Sequence, residues 1–157
     1  TNLYGPNDNF DLATSHVLPA LIRKFVEARE TGAETVEIWG SGTPLREFMH
    51  VDDLADAIVF LLETYDGDEP INVGSGQEVS IRDLATLIAR EAGFAGELRF
   101  DATKPDGTPR KLMDSERLHA LGWRPHVALE DGIRQTIRWY LDNRAALGAD
   151  GRTGSTQ

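Results

Sequence analysis

The sequence predicts an α/β protein. Short β-rich stretches at Thr35–Trp39, Pro70–Val73 and Glu97–Phe100 alternate with longer stretches whose apolar residues recur at helical spacing. No internal repeat and no linker divides the chain, so its 157 residues read as one domain or part of one.

Composition narrows the function classes. Hydrophobic residues make up 40% and charged residues 27%, an ordinary balance for a soluble globular chain. No apolar run approaches the roughly 20 residues needed to span a bilayer. No basic-then-apolar signal opens the chain. Sixteen basic against 26 acidic residues leave a formal charge of −10, which repels a nucleic-acid backbone on average. A local basic pocket can still hold a small anion. With no Cys, disulfides and thiolate metal sites are excluded, and the cytoplasm is the expected compartment. The sequence predicts no metal site.

Residues 1–15 read as loop, because Asn2, Gly5, Pro6, Asn7, Asp8 and Asn9 all favour turns. A loop of that length suits a lid or a binding segment. With no Met at its start, the chain is expected to be cut from something longer. Ser15 is the expected N-cap of a helix from His16 to about Glu30. Leu18, Leu21, Ile22, Phe25 and Val26 form its apolar stripe, and Pro19 fits its first turn. Thr35–Trp39 alternates as a strand should, and Arg46–His50 is a second short strand. Val51 to about Thr64 follows as a helix. Asp52 and Asp53 occupy its first turn, while Leu54, Ala57, Ile58, Leu61 and Leu62 form its expected buried face. Pro70–Val73 is a predicted buried strand. Ser80 caps a helix over Ile81–Glu91, and Glu97–Phe100 is another strand. Asp114-Ser115 caps a short helix, Glu116–Leu121, and the last helix runs from Leu129 to about Arg144. Residues 148–157 are Gly, Ser, Thr and charge, an expected disordered tail, which leaves 1–147 as the folded part.

The stretch from Trp39 to Asp53 carries the first chemical signal. Gly40 and Gly42 allow backbone angles that other residues resist, and Pro44 limits the exit. A planar ring, Trp39, and a planar cation, Arg46, stand at the ends of that turn and suit a ligand with a flat base and phosphates. A second signal is Lys104-Pro105-Asp106-Gly107-Thr108-Pro109-Arg110-Lys111, where three basic residues converge in an otherwise acidic chain. It reads equally as a polar surface loop or as an anion clamp. Asp52 and Asp53 are accounted for by helix N-terminus chemistry, and His50 by structure. Gly74-Ser75-Gly76 lacks the third Gly of a dinucleotide fingerprint and reads as a turn.

These motifs resemble a known family. Thr1-Asn2-Leu3-Tyr4-Gly5-Pro6, Ser15-His16-Val17-Leu18-Pro19-Ala20-Leu21-Ile22-Arg23, the Trp39–Asp53 stretch, Ile71–Gly76 and Lys104–Lys111 together resemble extended short-chain dehydrogenase/reductases of the NAD-dependent epimerase/dehydratase family, which act on nucleotide sugars. The likeness runs from residue 1 to about 144. Asn-x-Tyr-Gly-Pro and Arg-Glu-Phe-x-His-Val-Asp-Asp are shared across the group. The Ser15 and Lys104 motifs are specific to a branch that epimerises a GDP-bound 4-keto-6-deoxy sugar at C3 and C5 and reduces it at C4.

The resemblance implies the C-terminal part of an extended Rossmann-type NAD(P)-binding fold, with its small substrate-binding α/β domain. It implies NADP(H) as cofactor, a GDP-sugar as substrate and a homodimer in the complete enzyme. Thr1, Asn2 and Leu3 match a segment lining the nicotinamide. His16 matches the proton-transfer His beside the cofactor. Lys24 falls where the group often has an Arg on the nucleotide diphosphate. Trp39 matches an aromatic against the nucleotide, Arg46 a diphosphate-binding Arg, and Lys111 a substrate-binding Lys. A further contact position falls near Glu97, basic in some members and acidic here. The dinucleotide loop, the Tyr-x-x-x-Lys pair, the Ser and the Cys of the group are absent, so this piece alone is expected to be inactive. Two rivals stand beside that reading: a sister nucleotide-sugar epimerase or 4,6-dehydratase, and a non-catalytic module that binds nucleotide sugar.

Overall fold

Helical spacing of apolar residues builds most of the core. In a computed structural model, residues 1–147 are described and form β1 (Asn2–Tyr4), α1 (Val17–Thr31), β2 (Thr35–Trp39), β3 (Leu45–His50), α2 (Val51–Thr64), β4 (Glu78–Ser80), α3 (Ile81–Ala92), β5 (Glu97–Asp101), β6 (Arg110–Lys111), α4 (Glu116–Ala120) and α5 (Leu129–Asn143). The predicted tail at 148–157 lies outside the described residues.

The α/β class holds. β2 and β5 form a parallel pair from Thr35↔Glu97 to Trp39↔Asp101. β3 centres a second sheet: β1 runs parallel along its C-terminal half, and β4 and β6 flank its N-terminal half. One core joins α1, α3, α5 and β2 with Tyr4 and Phe48. Phe25 and Phe10 are fully buried there, Phe25 against Phe94 and Phe10 against Tyr140. Each such ring contributes about 1.5–3 kcal/mol through burial. A smaller cluster of Met49, Ala57, Leu118 and Trp123 sits under α2.

Several expectations need correction. Residues 1–15 are not all loop: Asn2–Tyr4 is β1, stabilised by pairing with Phe48–His50, which its own turn-forming composition does not reveal. The N-cap of α1 is His16 rather than Ser15, and neither side chain caps it; the buried Ser15 hydroxyl makes no hydrogen bond among the described residues. Residues 70–73 form no strand, because no neighbour among the described residues pairs with them; Asn72 instead donates to the Asp114 carbonyl. The strand here is Glu78–Ser80, held antiparallel on β3. Ser115 does not cap α4 through its side chain, and Asp114 Oδ1 accepts from the Glu116 N–H instead. On α2, Ile58 is 48% and Leu62 82% exposed, since only the Asp53, Ala57 side of the helix meets the rest of the fold.

Candidate functional site

The two loops singled out by sequence meet in space. Gly40 (φ 89°) and Gly42 (φ 79°) take positive φ, so the chain after Trp39 turns back sharply. The Gly40 N–H donates to the Asp101 carbonyl at 2.9 Å. The Asp106 carboxylate then accepts from the Ser41 N–H at 2.6 Å and the Ser41 hydroxyl at 2.8 Å. A Cβ on Gly40 would overlap that carboxylate. Arg82 adds a third tie, donating to the Ser41 carbonyl at 2.8 Å with its guanidinium 3.9 Å above the Phe100 ring.

Trp39 stands at the end of β2, 66% exposed, with the Lys104 ammonium 5.5 Å from its ring centroid. Across the turn, β6 lies parallel to β3 in the register Leu45↔Arg110 and Arg46↔Lys111. Register partners project from the same face of a sheet, with strands about 4.8 Å apart. Arg46 and Lys111 are therefore neighbouring cations. Arg46 spends Nη1 on its own Leu45 carbonyl, and the Lys111 side chain makes no hydrogen bond or ion pair among the described residues. Gly107, at φ 71°, would bring a Cβ within 3.7 Å of Arg46 Nη2, so the loop backbone closes over that guanidinium. Arg110 points the opposite way and forks onto Glu78 at 2.7–3.0 Å, which holds the Glu78 carboxyl below its usual range. The exposed cation of the loop that does find an acid thus lies off this face.

The remaining sequence candidates lie at β1, at the start and middle of α1, and on β5. Thr1 and Asn2 reach the Glu47 carbonyl, Asn2 Nδ2 at 2.9 Å, which ties the start of the chain to the residue after Arg46. Leu3 is exposed on β1. Lys24 is occupied by the Glu37 carbonyl of β2 at 3.1 Å. His16 is exposed at the start of α1 and shares no hydrogen bond or ion pair with the other candidates among the described residues. Its charged neighbour is Asp8, whose carboxyl is pushed up by burial against the opposing pull of the Asn9 N–H and of His16. Asp8 Oδ2 is buried without a hydrogen-bond partner among the described residues. Glu97 lies exposed on β5, paired with Arg99 rather than with any residue of the site.

His50, Asp52 and Asp53 perform structural work. The buried His50 Nδ1 accepts from the Asp52 N–H at 3.3 Å and the ring packs edge-on to Tyr4. Asp53 accepts from the His126 and Val127 N–H groups. No group of three or more His, Cys, Asp or Glu among the described residues could hold a metal ion. Sequence reasoning assigned no role to Asp106, Arg82 or Glu47. Asp106 carried a visible signal as the Asp of a Pro-Asp-Gly turn. Glu47 carried a subtler one: it is a charged residue in a strand whose next three positions are buried.

Known proteins resemble this chain in sequence and in fold. Residues 1–74 match the model of the "NAD dependent epimerase/dehydratase family". GDP-L-fucose synthase 1 of Arabidopsis thaliana is 65% identical over 143 residues, covering 91% of this chain and 44% of that protein. GDP-L-fucose synthase of Escherichia coli (strain K12) is 50% identical over 153 residues, covering 92% and 48%. A GDP-L-fucose synthetase from Naegleria fowleri, solved bound to NADP, superposes with a TM-score of 0.87 at 33% identity, covering 92% of this chain and 46% of that one. The chain thus spans about half the length of the curated relatives it matches.

Proposed function

We propose that this chain, whose residues 1–74 match the model of the NAD dependent epimerase/dehydratase family, is the C-terminal half of a GDP-L-fucose synthase. The complete enzyme converts GDP-4-keto-6-deoxy-D-mannose to GDP-L-fucose by epimerisation at C3 and C5 and NADPH-dependent reduction at C4. One observation carries the reading. Arg46 and Lys111 stand side by side on adjacent strands with no carboxylate between them among the described residues. Like charges placed opposite each other destabilise a sheet, and a diphosphate removes that cost. Trp39, exposed at the mouth of the same clamped turn, offers a face for the guanine. Lys24 adds positive charge beside β2.

His16 is the proton donor in this scheme. The 4-keto group acidifies the protons at C3 and C5, and an acid must return each to the opposite face. Imidazole changes charge near neutral pH and so can give and regain a proton there. Thr1, Asn2 and Leu3 take the nicotinamide, for which the exposed apolar Leu3 side chain of β1 offers a face. When bound, NADPH supplies the hydride for C4. The chain contains no Cys and no Tyr-x-x-x-Lys pair, so it is inactive alone and depends on the other half for both. The complete enzyme works in the cytoplasm as a homodimer. Among the described residues no helix is long and apolar enough to cross a membrane.

The test uses the complete enzyme with GDP-4-keto-6-deoxy-D-mannose in deuterated water. His16→Asn stops solvent exchange at C3 and C5, followed by proton NMR, while GDP binding persists. Arg46→Ala and Lys111→Ala weaken GDP binding instead. Unchanged exchange in His16→Asn overturns its role, and unchanged GDP affinity in both other variants overturns the site.

A further inference from the structure

The face of β3 behind the cation pair carries a buried acid. Glu47 is 1% exposed, and strand alternation turns its side chain away from Arg46. Its Oε1 accepts from the Gly76 N–H at 2.7 Å and the Ser75 hydroxyl at 3.3 Å, and its Oε2 accepts from the Met113 N–H at 3.2 Å. A Cβ on Gly74 would come within 2.6 Å of Oε1, so the Gly74–Gly76 turn is packed directly onto the carboxylate.

Met113 lies two residues beyond Lys111. β6 itself is only two residues long, paired with Leu45 and Arg46, and the Leu45 N–H to Pro109 carbonyl bond, at 2.9 Å, extends that pairing on its N-terminal side. The Glu47 side chain supplies a further rung on the C-terminal side, where the backbone ladder has ended. We propose that Glu47 is a positioning residue: by holding Met113, it keeps Lys111 beside Arg46 and so sets the affinity for the substrate diphosphate from the opposite face of the sheet. This rests on the reading that Arg46 and Lys111 bind that diphosphate. The cavity of about 790 Å³ on Glu47's side, lined by Gly76, Arg110, Met113 and His119, leaves the 110–113 segment little other packing there. Glu47 shares the restraint of this segment with the Thr1 ammonium, 3.0 Å from Met113 Sδ, and with Asn72 on the Asp114 carbonyl, and it alone grips the Met113 N–H among the described residues.

The experiment is a double-mutant cycle in the complete enzyme, with GDP and NADPH affinities measured by calorimetry. Glu47→Gln keeps one acceptor for Gly76 but turns an NH₂ toward Met113, leaving that N–H without its acceptor. The expected result is GDP affinity lower by about tenfold, the scale of one hydrogen bond to a buried charged acceptor. NADPH affinity stays the same. In a Lys111→Ala background, Glu47→Gln costs nothing further, because the group it positions is gone. A Glu47→Gln protein that binds GDP like the parent overturns the inference, and so does an equal loss in the Lys111→Ala background. Should Glu47→Gln fail to fold, hydrogen exchange of the unaltered enzyme decides: the Met113 amide is protected before ligand is added, and free exchange there overturns the inference. If Lys111→Ala and Arg46→Ala leave GDP binding intact, the underlying site assignment fails instead.

Discussion

Asp106 is the test of whether the clamped turn matters. Asp106→Ala removes two hydrogen bonds to an anionic acceptor, from the Ser41 N–H at 2.6 Å and the Ser41 hydroxyl at 2.8 Å. A charge-assisted bond contributes about 1.5–3 kcal/mol when shielded, and exposure here reduces each to roughly 0.5–1 kcal/mol. The freed Ser41 groups are rehydrated, so no orphan penalty adds to the loss. The loop pair thus loses about 1–2 kcal/mol of ordering, and GDP must restore that order on binding. At 1.4 kcal/mol per tenfold, the GDP dissociation constant rises by about 5–30-fold. Asp106→Asn retains an acceptor for the Ser41 N–H and falls between parent and Ala variant. Gly40→Ala approaches the same contact from the other side, since its Cβ overlaps the Asp106 carboxylate and φ is 89°. Calorimetry with GDP on the complete enzyme, with hydrogen exchange at Ser41, checks both steps. GDP affinity within twofold of the parent, despite faster exchange at Ser41, would refute the claim that this turn preorganises the nucleotide site.

Two further outcomes follow from the fold. Burial, reinforced by the charges of Asp53 and Asp131, pushes the Tyr4 phenol well above its ordinary pKa. A folded-state pKa raised in this way contributes stability that is full below the unfolded value of about 10 and is lost as pH rises above it. Thermal melts should therefore fall steeply at alkaline pH, and Tyr4→Phe should fall less steeply. Equal slopes for the two proteins would sink the assignment. The exposed Ile58, Val59 and Leu62 form an apolar stripe on α2, so the isolated 157-residue chain should self-associate in light scattering. Leu62→Glu should reduce that association, and no change would show that another surface drives it.

Sequence alone determined the helices and the turn chemistry. α1, α3 and α5 close their hydrogen bonds within themselves, so Leu21, Ile22 and Phe25, or Leu84 and Ile88, announce their element by spacing. Ser80 announces its cap, accepting from the Asp83 N–H at 3.0 Å, and Gly40 and Gly42 announce the turn. The exposed Trp39 and the polar Lys104–Lys111 loop were legible for the same local reasons. Tertiary structure decided whatever depends on a distant partner. A strand's hydrogen bonds belong to another segment, so Asn2–Tyr4 became a strand only beside Phe48–His50, and Ile71 and Val73, with no pairing strand among the described residues, did not. The same dependence placed Lys111 against Arg46, 65 positions apart in the chain, and put the Glu47 carboxylate behind them. It also left Ile58 and Leu62 exposed, because spacing identifies an apolar face but only a packed neighbour buries it.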